Sequence, residues 1–173
     1  MNRFARFSLA AAGALFLFAC ADGSTAPAAP EVTAAGTSAL SHWNDGGGLG
    51  LVRCEDQRSG SDSEYIGPQG GRLRVGANQL IIPAGALNRV VKITAIVPDD
   101  DVALIRFEPH GLVFRRSPLL VLDADGCDIG RYTPDVVYIS GGRILERIDA
   151  RYYPQYQVVA APIDHFSGYA LAW

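Results

Sequence analysis

The chain has 173 residues, 49% hydrophobic and 19% charged, with a formal net charge of −3. That length fits one domain with a tail, and the apolar content is too high for a disordered chain. The acidic balance excludes an electrostatic nucleic-acid surface, and of 15 basic side chains only Lys92 is a lysine, which leaves few candidates for amine catalysis. Nineteen glycines and 10 prolines favour short strands joined by many turns.

Residues 1–19 have the anatomy of an export signal. Arg3 and Arg6 lie in a charged head, and an apolar run from Phe7 to Ala19 is broken only by Ser8 and Gly13. The run is too short to span a bilayer comfortably. It ends in Leu17-Phe18-Ala19-Cys20, which resembles a bacterial lipobox, with Phe18 departing from the usual small or branched residue. The resemblance implies lipidation of Cys20 and, because Ala21 follows, sorting to the outer membrane of the cell envelope. An ordinary secretory signal cut nearby would leave Cys20 incidental. Three acyl chains on one cysteine would make a stable anchor.

Residues 20–48 read as a lipid-anchored linker. Ala21 to Ser41 is small, polar and proline-bearing without periodicity, the composition of a flexible coil. About 20 such residues span roughly 25 Å root-mean-square. Asn44 to Gly48 then marks a turn or hinge.

From residue 49 to 173 the pattern predicts an all-β domain, an antiparallel β-sandwich. Strands are expected at Leu49–Cys54, Tyr65–Ile66, Leu73–Val75, Leu80–Ile82, Val90–Val97, Ala103–Phe107 and Leu119–Leu122. Four more are expected at Val136–Ile139, Arg143–Ile148, Tyr156–Ala161 and Tyr169–Trp173, and no window carries a helical stripe. Turn signals every 8 to 12 residues or so are the mark of a sandwich or barrel. The expected core includes Leu80, Ile82, Ile93, Phe107, Phe114, Leu120, Val137, Val159 and Tyr169. Cys54 and Cys127 remain outside the anchor, and in an oxidising envelope such a pair is expected to form a disulfide.

Four pieces in order carry a family likeness: Ile66-Gly67-Pro68-Gln69-Gly70-Gly71, then Leu80 to Leu87, then Phe107 to Phe114 with Ser117-Pro118-Leu119, then His165-Phe166-Ser167-Gly168-Tyr169. Together they resemble the ZU-five domain of ankyrins, netrin receptors and zonula occludens proteins, over residues 65–173. The resemblance implies a protein-interaction role. The glycines and prolines of these pieces also have backbone reasons to exist. Pro83 stops a strand, and Gly85 suits a turn that returns Leu87 to the sheet.

Candidate chemistry is sparse. Asp99-Asp100-Asp101 and Asp123 to Asp128 lack the ligand order of a calcium loop, and Asp and Gly are ordinary turn formers, so no metal site is expected. His42, His110 and His165 share no ligand spacing, no phosphate loop or nucleophile elbow is present, and no cofactor is expected. Tyr152, Tyr153 and Tyr156 form an aromatic cluster that could stack on a sugar or a partner peptide, and cross-strand packing is the favoured reading. In some death-domain signalling proteins that resemble this fold, the backbone breaks within the same His-Phe-Ser tripeptide. By that resemblance Ser167 would attack the Phe166 carbonyl, with His165 either as base or as the group that positions and protonates the departing amine. A purely structural role for the three residues is the competing reading.

The sequence therefore points to a lipid-anchored, non-catalytic envelope module. It would bind the membrane through Cys20 and an envelope protein through its domain, and would not bind nucleic acid. Self-cleavage at Phe166–Ser167 and carbohydrate binding are the alternatives.

Overall fold

The computed structural model describes residues 50–55 and 57–173. The export signal, Cys20 and the linker lie outside the described residues. Within them the chain is all-β: eleven strands, no helix, and two antiparallel sheets facing one another.

The strands are β1 (Gly60–Ile66), β2 (Gly71–Val75), β3 (Asn78–Ile82), β4 (Val91–Val97), β5 (Leu104–Glu108), β6 (Leu119–Asp123), β7 (Asp135–Ser140), β8 (Arg143–Ile148), β9 (Arg151–Tyr153), β10 (Val158–Pro162) and β11 (Gly168–Ala172). One sheet has six strands in the order β1-β4-β5-β11-β7-β8, the other five in the order β2-β3-β6-β10-β9. Consecutive strands often swap sheets, which is how a sandwich distributes one chain over two layers.

Local chemistry sets the strand ends. Pro83 follows β3 because it has no N–H for the ladder, and Gly85 takes φ 80° in the turn beyond. Gly70 must be glycine on two counts: its φ is 77°, and a Cβ there would lie 2.4 Å from the Ile82 carbonyl oxygen. Gly141 and Gly142, at φ 56° and 74°, form the two-residue turn between β7 and β8, where Ser140 pairs with Arg143. Two successive positive φ values give the hairpin turn whose twist matches that of the strands.

The core between the sheets is built by alternation. Ile93, Ala95 and Val97 of β4 point inward, as do Leu80 and Ile82 of β3, Leu120 and Leu122 of β6, and Val159 and Ala161 of β10. Phe166 stacks on Phe107 with ring centroids 5.0 Å apart and meets the edge of Phe114 at 4.8 Å. Eight of the nine expected core residues belong to this layer. Val137 is the exception. It is fully buried, but in a second cluster on the opposite face of the six-stranded sheet, with Val102, Leu104, Ile139, Ala170 and Ala172. Val136 takes the inward position instead. Neighbours in a strand face opposite ways, and a run of apolar residues does not say which one faces in.

Leu49–Cys54 is not a continuous strand in its described part. It makes isolated bridges instead: Leu51 with Ala172, Arg53 with Val102, and Cys54 with Cys127. The expected disulfide joins Cys54 to Cys127, closing a sequence separation of 73, with Cα atoms 3.8 Å apart. That spacing is shorter than usual for a disulfide, and the backbone explains why. Glu55 N–H donates to the Gly126 carbonyl and Asp128 N–H to the Arg53 carbonyl, flanking the cysteines as a non-hydrogen-bonded antiparallel pair. Such pairs bring the two Cα atoms closest together. Strand β9 has no counterpart in the sequence pattern, and β10 begins two residues later than the pattern suggests because Pro154 to Gln157 make a turn with Gln157 at φ 49°.

Candidate functional site

The most chemically varied surface is where β5, the turn after it and the start of β11 meet. β5 leaves the sheet through Glu108 and a cis peptide to Pro109. The turn that follows presents His110, and Gly111 takes φ 75°. His165, Phe166 and Ser167 run alongside this turn. Phe166 N–H donates to the Leu112 carbonyl at 2.8 Å, and Gly111 N–H donates to the Phe166 carbonyl at 3.0 Å. Phe107 N–H donates to the Ser167 carbonyl at 3.0 Å. The tripeptide is therefore held by backbone bonds on both sides of the Phe166–Ser167 peptide.

The side chains separate. Phe166 is fully buried in the core. His165 turns toward Tyr138 and Tyr169: its ring meets Tyr138 edge-on at 4.8 Å, and its Nδ1 lies 3.3 Å from the Tyr169 hydroxyl. The Tyr169 hydroxyl also donates to the His165 backbone carbonyl. Burial pushes the Tyr169 hydroxyl well above its ordinary ionisation range, reinforced by the negative charge of Glu146 and by Tyr138 and Asp164. Ser167 instead has its Oγ 3.5 Å from Nε2 of His110. The histidine facing the serine hydroxyl is thus His110, not His165. The two belong to sequence motifs 57 residues apart, joined only by strand pairing.

Ser167 and His110 line one end of an open cleft of about 350 Å³ on the outer side of the six-stranded sheet. Its walls are apolar, from Ile96, Leu104 and Ile139, and Arg106, Glu108 and the Gly141–Gly142 turn complete its rim. Arg106 is half-buried, and its neighbours across the ladders are Ile96 and Gly168 rather than acidic residues. A small apolar concavity with a few convergent polar groups is the common form of a recognition site.

The acidic clusters have structural partners. Asp123 Oδ1 accepts from Asp125 N–H at 3.2 Å, and buried Asn78 accepts from Asp123 N–H at 2.9 Å, so these residues shape the turn after β6. Asp100 Oδ1 accepts from Asp101 N–H at 2.7 Å, and Asp101 pairs with Arg53. Partial burial and then the neighbouring Asp101 raise the Asp100 carboxyl above its usual 3.8. Among the described residues no group of three His, Cys, Asp or Glu is placed to hold a metal ion. The tyrosine cluster is split: Tyr152 packs against the core, Tyr153 carries the Arg151 guanidinium 5.3 Å from its ring centroid, and Tyr156 is exposed in the turn beyond. Successive strand residues point to opposite faces, so the three rings do not build one platform.

Compared with known proteins, the chain matches no family model. No curated protein matches it either.

Proposed function

We propose that this protein is a lipid-anchored cell-envelope module, of the ZU-five kind, that binds another envelope protein through the cleft on its six-stranded sheet. The observation that supports this most is the cleft itself. Its apolar walls suit an inserted aliphatic or aromatic side chain, while Arg106 and Glu108 at the rim offer charge for orientation. The export signal and Cys20 supply the membrane location, so the domain needs only to hold its partner. Arg106→Glu and Ser140→Trp test the reading, because each alters the rim without entering the core. An envelope protein retained by the wild-type domain should be lost by both variants, with the circular dichroism spectrum unchanged. Retention that ignores both changes would remove the cleft from the reading.

Self-cleavage is the second reading, and one arrangement favours it. The Ser167 hydroxyl lies beside His110, and the Phe166 carbonyl oxygen already accepts an N–H from Gly111. In an N-to-O acyl shift, Oγ would add to the Phe166 carbonyl carbon while His110 takes its proton. The Gly111 N–H would stabilise the oxyanion. Breaking the C–N bond, with a proton returned to the amine, leaves an ester that water hydrolyses. The intact mass of the purified chain decides it: a break after Phe166 that is abolished by Ser167→Ala and slowed by His110→Ala, but not by His165→Phe, fits this assignment. A chain that stays full length at neutral pH ends it.

A further inference from the structure

The outer face of the five-stranded sheet has a regular composition that the binding cleft does not use. The register places its side chains in rows. Arg74 pairs with Gln79, Gln79 with Val121, Val121 with Ala160, and Ala160 with Arg151, one row across all five strands. Two residues along, Arg72 pairs with Ile81, Ile81 with Leu119, and Leu119 with Pro162. On the other side, Asp123 pairs with Val158 and Val158 with Tyr153. Period-two alternation puts all of these on one face, because Leu73, Leu80, Leu120, Val159 and their like fill the core.

The face therefore has an apolar centre of Ile81, Leu119, Val121, Val158, Ala160 and Pro162 with arginines at both edges. Arg72, Arg74 and Arg151 are exposed, and Leu119 keeps 40% of its surface in water. Only Asp123 brings a negative charge to these rows, although the chain as a whole is acidic with a net charge of −3. Strands spaced about 4.8 Å apart put the two arginine edges roughly 19 Å from one another. Arginine extends an apolar stem with a guanidinium that matches phosphate oxygens in a two-pronged fit. Tyr153, under Arg151, is the kind of ring that prefers a boundary between water and hydrocarbon.

We propose that this face seats on the anionic, phosphate-bearing surface of the membrane, with the arginines on the headgroup phosphates and the apolar centre against the headgroup boundary. Cationic edges beside apolar side chains are complementary to that surface, where charge and apolar contact lie in adjacent layers. The membrane location rests on the lipid-anchor reading above. The consequence is an orientation: the two outer faces of a sandwich point apart, so the cleft on the six-stranded sheet faces away from the bilayer, toward a partner.

The test uses the chain from Ala21 to Trp173, which lacks the acylated cysteine and retains both sheets, the core and the disulfide. Sedimentation with vesicles of phosphatidylglycerol and phosphatidylcholine is compared with phosphatidylcholine alone at low salt. The expected result is binding to the anionic vesicles that falls on the order of a hundredfold in Arg72→Glu/Arg74→Glu/Arg151→Glu and weakens with added salt. Arg131→Glu/Arg143→Glu, exposed elsewhere, should bind as the wild type does. Equal binding to both vesicles, indifference to the triple change, or no binding at all would overturn the proposal. Arginine-dependent capture of an acidic protein without vesicle binding would do so as well. Detergent partition of the full chain with Cys20→Ser reads the anchor separately, so either idea can fail alone.

Discussion

The two outer faces of the sandwich start from the same strand geometry and end differently. On the six-stranded sheet, Val102, Leu104, Val137, Ile139, Ala170 and Ala172 form a second buried cluster, with Leu51 and Ile144 packed against it. On the five-stranded sheet, the equivalent positions are half-exposed and bordered by arginine. Part of the difference comes from the segment at residues 50–55. It pairs alongside one end of the six-stranded sheet, bridging Leu51 to β11 and Arg53 to Val102 just ahead of β5, and a disulfide ties it down at Cys54. The five-stranded sheet has no corresponding strap among the described residues. Outward apolar side chains are thus no guide by themselves to which face of a sandwich is free. What packs against each side chain decides it.

Releasing the strap should produce the largest effect. Replacing Cys54 and Cys127 together by alanine frees a loop of 73 residues, worth about 4 kcal/mol by chain entropy. Urea unfolding of the variant should show that loss. A change below about 1 kcal/mol would mean the segment is held without the bridge.

Truncation on the two faces should then split by burial. Leu104→Ala, at 4% exposure, should cost about 3 kcal/mol, whereas Leu119→Ala, at 40%, should cost less than about 1 kcal/mol. Equal costs in paired denaturant titrations would erase the distinction between the faces.

The smallest effect concerns the interior between them. Tyr169 holds its proton more tightly when folded than its ordinary value of 10.0 implies. Above pH 10 the unfolded chain therefore ionises this tyrosine first, and stability falls as pH rises. Tyr169→Phe should flatten that alkaline fall. If the variant lost stability as steeply as the wild type between pH 10 and 11, roughly one unit above the ordinary value, other groups would be responsible.

Much of the fold was legible in the sequence. Proline and glycine punctuate it, and they act through the backbone of the residue itself: Pro83 ends β3, and Gly141-Gly142 turns β7 into β8. Strand β8 spans Arg143–Ile148 as the pattern requires. Local alternation also marked most of the core. It missed β9, whose three residues Arg151–Tyr153 are too few to show a period. It marked Val137 as buried but not the side of the sheet on which it is buried, because adjacent valines carry no sign of which face is inward.

The candidate site was legible in its parts and not in its pairing. Pro109-His110-Gly111 and His165-Phe166-Ser167 are each visible in the sequence, and the nearer histidine, His165, is the natural partner to assign to the serine. Local order fails there because Phe166 enters the core beside Phe107 and Phe114, while His165 turns to Tyr138 and Tyr169. Ser167 is left to the cleft and to His110.

The sequence by itself determined what depends on neighbours along the chain: most strand and turn positions and the all-β class. The pairing of Cys54 with Cys127 followed from count, since only these two cysteines remain outside the anchor. Only the tertiary structure decided what depends on register across strands. The rows of arginine on the five-stranded sheet, the Ser167–His110 contact and the walls of the cleft all join residues distant in sequence, through hydrogen-bond ladders whose register is set by how both sheets bury their inner faces at once.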